Sequence, residues 1–173
     1  MGQHLWYNGR EAKRDKGGQT MTAQTAPYKT TLINNRRYLG NKYKLLPFIT
    51  QVAVRECQNI QVVAALFAGT GAVASAFADR RLITNDIMFS NYICNFAWFG
   101  ADTYDRGKIE QSVIQYNALR VNEENYMTEN FADTYFSRAD CAKIGYIREH
   151  IERRFHQGEL NPREPAILNT ALQ

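Results

Sequence analysis

Gln61-Val62-Val63-Ala64-Ala65-Leu66-Phe67-Ala68-Gly69-Thr70-Gly71-Ala72 is the stretch on which the fold turns. Val62 to Ala68 is the longest unbroken apolar run in the chain, and Gly69 ends it. A short apolar run closed by glycine predicts a buried strand of a parallel sheet over Gln61 to Phe67. Ala72 to Asp79 is small and helix-prone, so Gly69-Thr70-Gly71 falls in a strand-to-helix turn. Such a turn sets backbone N–H groups and the positive end of a helix beside a ligand. Glycine there allows a close backbone approach that a Cβ would block, and Gly71 is expected to leave room for the ligand. With Ala74, the pattern Gly69-x-Gly71-x-x-Ala74 satisfies the dinucleotide-binding fingerprint, while a purely structural turn fits the same residues.

Working outward, Leu45, Leu46, Ile49, Val52 and Ala53 have the spacing of an amphipathic helix starting near Tyr43. Leu82 to Asn85 reads as a second strand. Met88 to Phe99 reads as a helix with Ile93, Phe96 and Ala97 on one stripe. This alternation predicts a doubly wound α/β region. Past residue 100 the character changes. Lys108 to Leu119 and Ser137 to Phe155 are predicted helices, the second with Ile144, Ile147, Ile151 and Phe155 on one face and Ser137 as N-cap. Asn161 to Pro165 reads as a turn, and Ala166 to Gln173 as the start of a helix. Its stripe of Ile167, Leu168 and Leu172 has no later element to cover it. The expected organisation is a disordered leader over 1–30 (Met21 being an alternative start), an α/β region over 31–100, a helical region over 101–160, and an opening helix over 161–173. The chain reads as truncated, with part of the sheet missing and an edge exposed.

Composition bounds the function. Of 173 residues, 45% are apolar and 22% charged, ordinary values for a folded domain. No apolar run approaches the roughly 20 residues of a membrane helix, and the first twenty residues lack a signal-peptide core. Cys57, Cys94 and Cys141 fit no disulfide or zinc pattern and point to a reducing cytoplasm. His4, His150 and His156 lack metal-ligand spacing, and no nucleophile-elbow pattern is present. Net charge is +4, and from Lys16 to Arg55 seven basic residues occur without one Asp or Glu. Such a block can neutralise phosphates or form a solvated face.

Two further features complete the set. Asn85-Asp86 closes the second strand, fifteen residues after Gly71, where a carboxylate can accept from ribose hydroxyls. Upstream, Arg37-Tyr38-Leu39-Gly40-Asn41-Lys42-Tyr43-Lys44-Leu45-Leu46 presents Lys42 at a helix start, able to meet a carboxylate or phosphate.

Phe67-Ala68-Gly69-Thr70-Gly71 resembles the first motif of S-adenosylmethionine-dependent methyltransferases. Arg37 to Ile49, Leu66 to Ala72 and Ile83 to Ile93, in this order, resemble the N-terminal half of N6-adenine DNA methyltransferases, in the group of the Dam-type and FokI-type modification enzymes. Phe131 to Glu152 is similar to the helical insertion of that family. The resemblance spans about residues 33 to 155. It implies a Rossmann-like methyltransferase fold, here with a partial sheet and an appended helical segment. It also implies S-adenosylmethionine as cofactor and methyl transfer to adenine N6 in double-stranded DNA, after the base is turned out of the stack. Lys42 would contact the methionine carboxylate with Tyr38 close by. Phe67, Ala68, Gly69 and Gly71 would form the cofactor loop, and Asp86 would bind the ribose. Arg36, Arg37 and Lys44, in the acid-free block, would contact DNA phosphates.

This chain departs from the family in two places. An acidic residue usual before Leu66 is Ala65 here. The Asp-Pro-Pro-Tyr catalytic motif is missing, since none of the four prolines is adjacent to another. No catalytic residue is therefore assigned. The chain alone is expected to be inactive, with a complementary polypeptide able to supply the motif. A nucleotide-binding Rossmann domain, or a non-catalytic DNA-binding fragment, would also fit the residues.

Overall fold

The computed structural model describes residues 42–172. Arg36, Arg37, Tyr38 and the expected leader lie outside the described residues. A 3-10 turn at Tyr43–Leu45 leads into α1 (Leu46–Glu56), whose second residue, Pro47, suits a first helical turn where no N–H is needed. Leu46, Ile49, Val52 and Ala53 are half-buried as the spacing predicts, and Leu45 is exposed. β1 (Val62–Ala65), α2 (Ala72–Ser75) and β2 (Arg81–Thr84) form a β-α-β unit with parallel pairing, Val62 opposite Arg81 and Ala65 opposite Thr84.

Both strands alternate exposed and half-buried residues, which corrects the expectation of a fully buried strand. Among the described residues the sheet has two strands, and Val62, Leu66 and Ile83 keep an uncovered face. No further strand follows β2 among the described residues, apart from an isolated bridge between Ala132 and Phe136.

α3 (Phe89–Phe99) buries Asn91, Cys94, Asn95 and Ala97; of the expected stripe of Ile93, Phe96 and Ala97 only Ala97 is buried. Ile93 and Phe96 face a groove instead. This groove of about 600 Å³ runs between α3, α6 (Arg138–His156) and α7 (Arg163–Leu172), with Tyr92, Ile144 and Phe155 also on its walls. α4 (Arg106–Ala118) starts at Asp105, whose side chain accepts from the Lys108 N–H. Ser137 caps α6 as predicted, accepting from the Asp140 N–H at 3.1 Å.

Two helices differ from the sequence reading. α5 (Tyr126–Phe131) was not expected; a capping box of Asn125 and Thr128 starts it. α7 begins at Arg163, within the expected turn, because Asn161 Oδ1 accepts from the N–H groups of Arg163 and Glu164. The stripe on α7 is not left bare. Leu168 is buried with Ile109, Tyr116, Ile147, Ile151 and Leu160, and Ile167 and Leu172 pack against that cluster. Earlier helices cover this face.

The start of α7 ties the two halves together. The Arg163 guanidinium donates to the carbonyls of Ala97 (2.9 Å), Trp98 (3.3 Å) and Asp102 (2.8 Å), meeting the bare carbonyls at the end of α3. Glu164 is fully buried and accepts from the N–H groups of Asp105 and Asn161, each at 2.9 Å, and from Lys108 Nζ at 3.0 Å. Burial pushes its pKa up, toward the neutral form, but these donors together hold Glu164 below the ordinary carboxylate range.

Candidate functional site

The carboxyl ends of β1 and β2 are laced together by short backbone bonds. Asn85 N–H donates to the Ala65 carbonyl and Ala68 N–H to the Asn85 carbonyl, both at 2.9 Å. Asn85 Nδ2 adds a bond to the Leu66 carbonyl at 3.0 Å. The Gly turn therefore starts from a fixed platform.

Beyond it, a closed circuit of side chains holds Gly69. Its N–H donates to Asp86 Oδ2 at 2.7 Å, and its carbonyl accepts from Asn95 Nδ2 at 3.0 Å. Asn91 joins the two clamps: its Nδ2 donates to Asp86 Oδ1 at 3.1 Å, and its carbonyl accepts from Asn95 Nδ2 at 2.8 Å. The Met88 N–H donates to Asp86 Oδ1 at 3.0 Å. Burial pushes the Asp86 carboxyl up, yet the bonds from Asn91, Met88 and Gly69 together hold it below the ordinary carboxylate range. A carboxylate has about four lone-pair positions. Among the described residues Asp86 Oδ1 takes two of these donors and Oδ2 takes one, which leaves Oδ2 able to accept one more.

The two glycines of the turn do different work. Gly69 has φ +54°, and a Cβ built on it would meet no atom of the described residues within 4 Å, so among them this side of the loop is open. Gly71 has φ +76°, but its Cβ would lie 2.9 Å from Asn95 Oδ1 and 3.0 Å from the Phe99 ring. Gly71 therefore makes room for α3 rather than for a ligand, which corrects the expectation from sequence. Open backbone at Gly69 fits the close approach of a cofactor. Beside it Phe67 is 88% exposed and Ile87 97% exposed, an apolar rim on either side of the circuit.

Of the residues expected at a site, the structure brings together Phe67, Ala68, Gly69, Gly71 and Asp86. Lys42 and Lys44 are exposed at the start of the 3-10 turn before α1, and α1 packs on α2, the helix that follows Gly71. Tyr38, Arg36 and Arg37 lie outside the described residues. Sequence reading missed Asn91 and Asn95, each 2% exposed. Their i, i+4 spacing beside buried Cys94 is the signal that could have found them. Among the described residues no three His, Cys, Asp or Glu side chains gather to hold a metal, and no helix is long and apolar enough to cross a membrane.

A family model described as D12 class N6 adenine-specific DNA methyltransferase matches residues 38–160, the span that includes the Gly turn, Asp86 and α3. The chain belongs to this family. The D12 match also takes in the helices α4 to α6, so these three are part of the family's domain. The chain is 28% identical to the Modification methylase LlaI of Lactococcus lactis subsp. lactis, over 79% of its own length and 24% of that protein's. The D12 chain thus spans about a quarter of this relative. No solved structure matches it. DNA methyltransferases as a group draw the methyl group from S-adenosylmethionine and act on DNA.

Proposed function

We propose that this chain is the S-adenosylmethionine-binding portion of a site-specific DNA adenine-N6 methyltransferase of the Dam/FokI-type group, working in a restriction-modification system in the cytoplasm. One observation carries the reading. Gly69 is pinned through both its N–H and its carbonyl while its Cα face stays open, which is the preorganised, close-approach surface a cofactor needs. Gly69 and Ala68 line the loop, Gly71 lets α3 close behind it, and the free lone pair of Asp86 Oδ2 accepts from a ribose hydroxyl. Phe67, exposed beside the turn, would contact the cofactor as part of its loop, and Lys42 with Tyr38 would receive the methionine carboxylate. The cofactor supplies an activated methyl group; these residues bind and orient it.

DNA phosphates fall to the N-terminal part. Residues 1–41 carry seven Lys and Arg against two Asp and Glu, whereas residues 42–172 carry 14 against 15. Arg36, Arg37 and Lys44 make phosphate contacts in double-stranded DNA that are largely independent of sequence. The acceptors that orient the adenine amine belong to an Asp-Pro-Pro-Tyr-type motif, and residues 1–173 contain no Pro-Pro pair. That motif comes from polypeptide outside these residues, and the 173 residues alone transfer no methyl group.

Parallel calorimetric titrations with S-adenosylmethionine and NAD test the reading. Saturable binding of S-adenosylmethionine alone is expected, weaker than the family's usual affinity because Ala65 replaces an acidic residue. Binding of NAD without S-adenosylmethionine would favour a dinucleotide-binding domain and refute it. With tritiated S-adenosylmethionine and mixed-sequence duplex DNA, incorporation should stay at background unless a polypeptide bearing the motif is added.

A further inference from the structure

Asn95 sits in a costly position. It is 2% exposed, and its Oδ1 has no hydrogen-bond partner among the described residues. A buried acceptor left unpaired works against folding, and an apolar side chain would carry no such cost. The orientation of the amide is set by its surroundings. Both Gly69 and Asn91 present carbonyls to Nδ2, at 3.0 and 2.8 Å, so a flipped amide would set oxygen against oxygen twice. The side chain thus keeps its donor on the loop and leaves its acceptor unpaired.

We propose that Asn95 is a positioning residue for the cofactor loop: it fixes the Gly69 carbonyl from the α3 side while Asp86 fixes the Gly69 N–H. Two groups on one residue, held from opposite elements, determine the direction of the loop backbone at the open face. Asn91 makes the arrangement cooperative by bonding to both clamps. Asn95 acts through Gly69 and touches no ligand. The importance of this loop for S-adenosylmethionine rests on the function proposed above; the clamp itself does not.

The experiment uses the full chain, with Asn95→Leu to remove the donor while keeping the branched shape and Asn95→Asp to replace the donor by an acceptor at equal size. Amide hydrogen exchange at Gly69, followed by NMR, reports the clamp without any ligand, and exchange in α6 reports the fold. Both variants should speed exchange at Gly69 at least tenfold with α6 protection retained, and should weaken S-adenosylmethionine binding at least tenfold. If Asn95→Leu fails to fold, Asn95→Asp carries the test, since it preserves the packing against Gly71. Unchanged Gly69 exchange in a folded variant would overturn the proposal, as would faster exchange with full S-adenosylmethionine affinity. If the unaltered chain binds no S-adenosylmethionine while Gly69 exchange responds as expected, the clamp stands and the cofactor assignment fails.

Discussion

The two halves of the described chain are held by different forces. From Thr70 to Ala97 the buried set is small or polar: Thr70, Ala72, Ala74, Ser75, Ala76, Asn91, Cys94, Asn95 and Ala97, with Phe77 the one large ring. From α4 to α7 small and polar residues are buried too (Ser112, Thr128, Cys141, Ala142, Glu164, Ala166), but beside them stands a large apolar cluster of Ile109, Tyr116, Ile147, Ile151, Leu160 and Leu168. Apolar burial is non-directional and secures a shape through volume. Hydrogen bonds have direction, and Gly69 is aimed by two of them. The helical half thus supplies stability, and the half carrying the Gly turn spends side chains on geometry. Arg163 and Glu164 join the halves at the start of α7, so the stable half also anchors the C-terminal end of α3.

The contrast can be broken most severely in the helical half. Ile151 is fully buried, and Ile151→Ala should cost about 3–4 kcal/mol through lost transfer energy and a residual cavity. Urea unfolding measures it, and S-adenosylmethionine affinity in the folded fraction should hardly move. A loss below about 1 kcal/mol would show that this cluster is not the main support.

Next comes the pair of glycines. Gly71→Ala adds a Cβ 2.9 Å from Asn95 Oδ1 at φ +76°, and should cost about 2–3 kcal/mol from strain and overpacking. Gly69→Ala meets open space at φ +54° and should cost only about 1 kcal/mol from its backbone, yet weaken cofactor binding more than its stability loss suggests. Equal effects of the two changes on stability would contradict the distinction.

The smallest effect is on pH. Burial, then the charges of Arg153 and Arg154, holds His150 below its ordinary value of 6.5 against the pull of Glu159. Below pH 6.5 the unfolded chain takes up a proton that the folded chain does not, so stability starts to fall there. Glu164 and Asp86 are held below their ordinary values of 4.5 and 3.8. Their contribution is complete above those values and is lost as pH falls through the lower folded ones. His150→Phe should remove the first decline, which begins below pH 6.5, and leave the second. A first decline that persists would place its origin elsewhere.

Much of this was legible in the residues. Val62 to Ala65, the Gly turn and the α3 span follow from apolar runs and punctuation, and Ser137 was readable as a cap. What escaped depends on polar groups whose meaning is set by three-dimensional partners. Asn91 and Asn95 carry no apolar signal, and the role of Asn95 shows only with the carbonyl of Gly69 opposite it. Asn161-Pro162 read as a turn because the same residues that make turns also cap helices. Asn125-x-x-Thr128 was a capping box in plain view, with too short a helix behind it to show periodicity. The exposure of β1 was hidden for another reason: a run of apolar residues fixes no count of neighbouring strands.

The most direct measurement maps backbone amide shifts of the full chain as S-adenosylmethionine is added. The largest changes should fall at Ala68 to Gly71, with Asp86, Met88 and α3 residues 91–95 following through the hydrogen-bond circuit. Ile109, Ile147, Ile151 and Leu168 should stay in place. Changes centred on the groove between α3, α6 and α7, with Gly69 unmoved, would contradict the account.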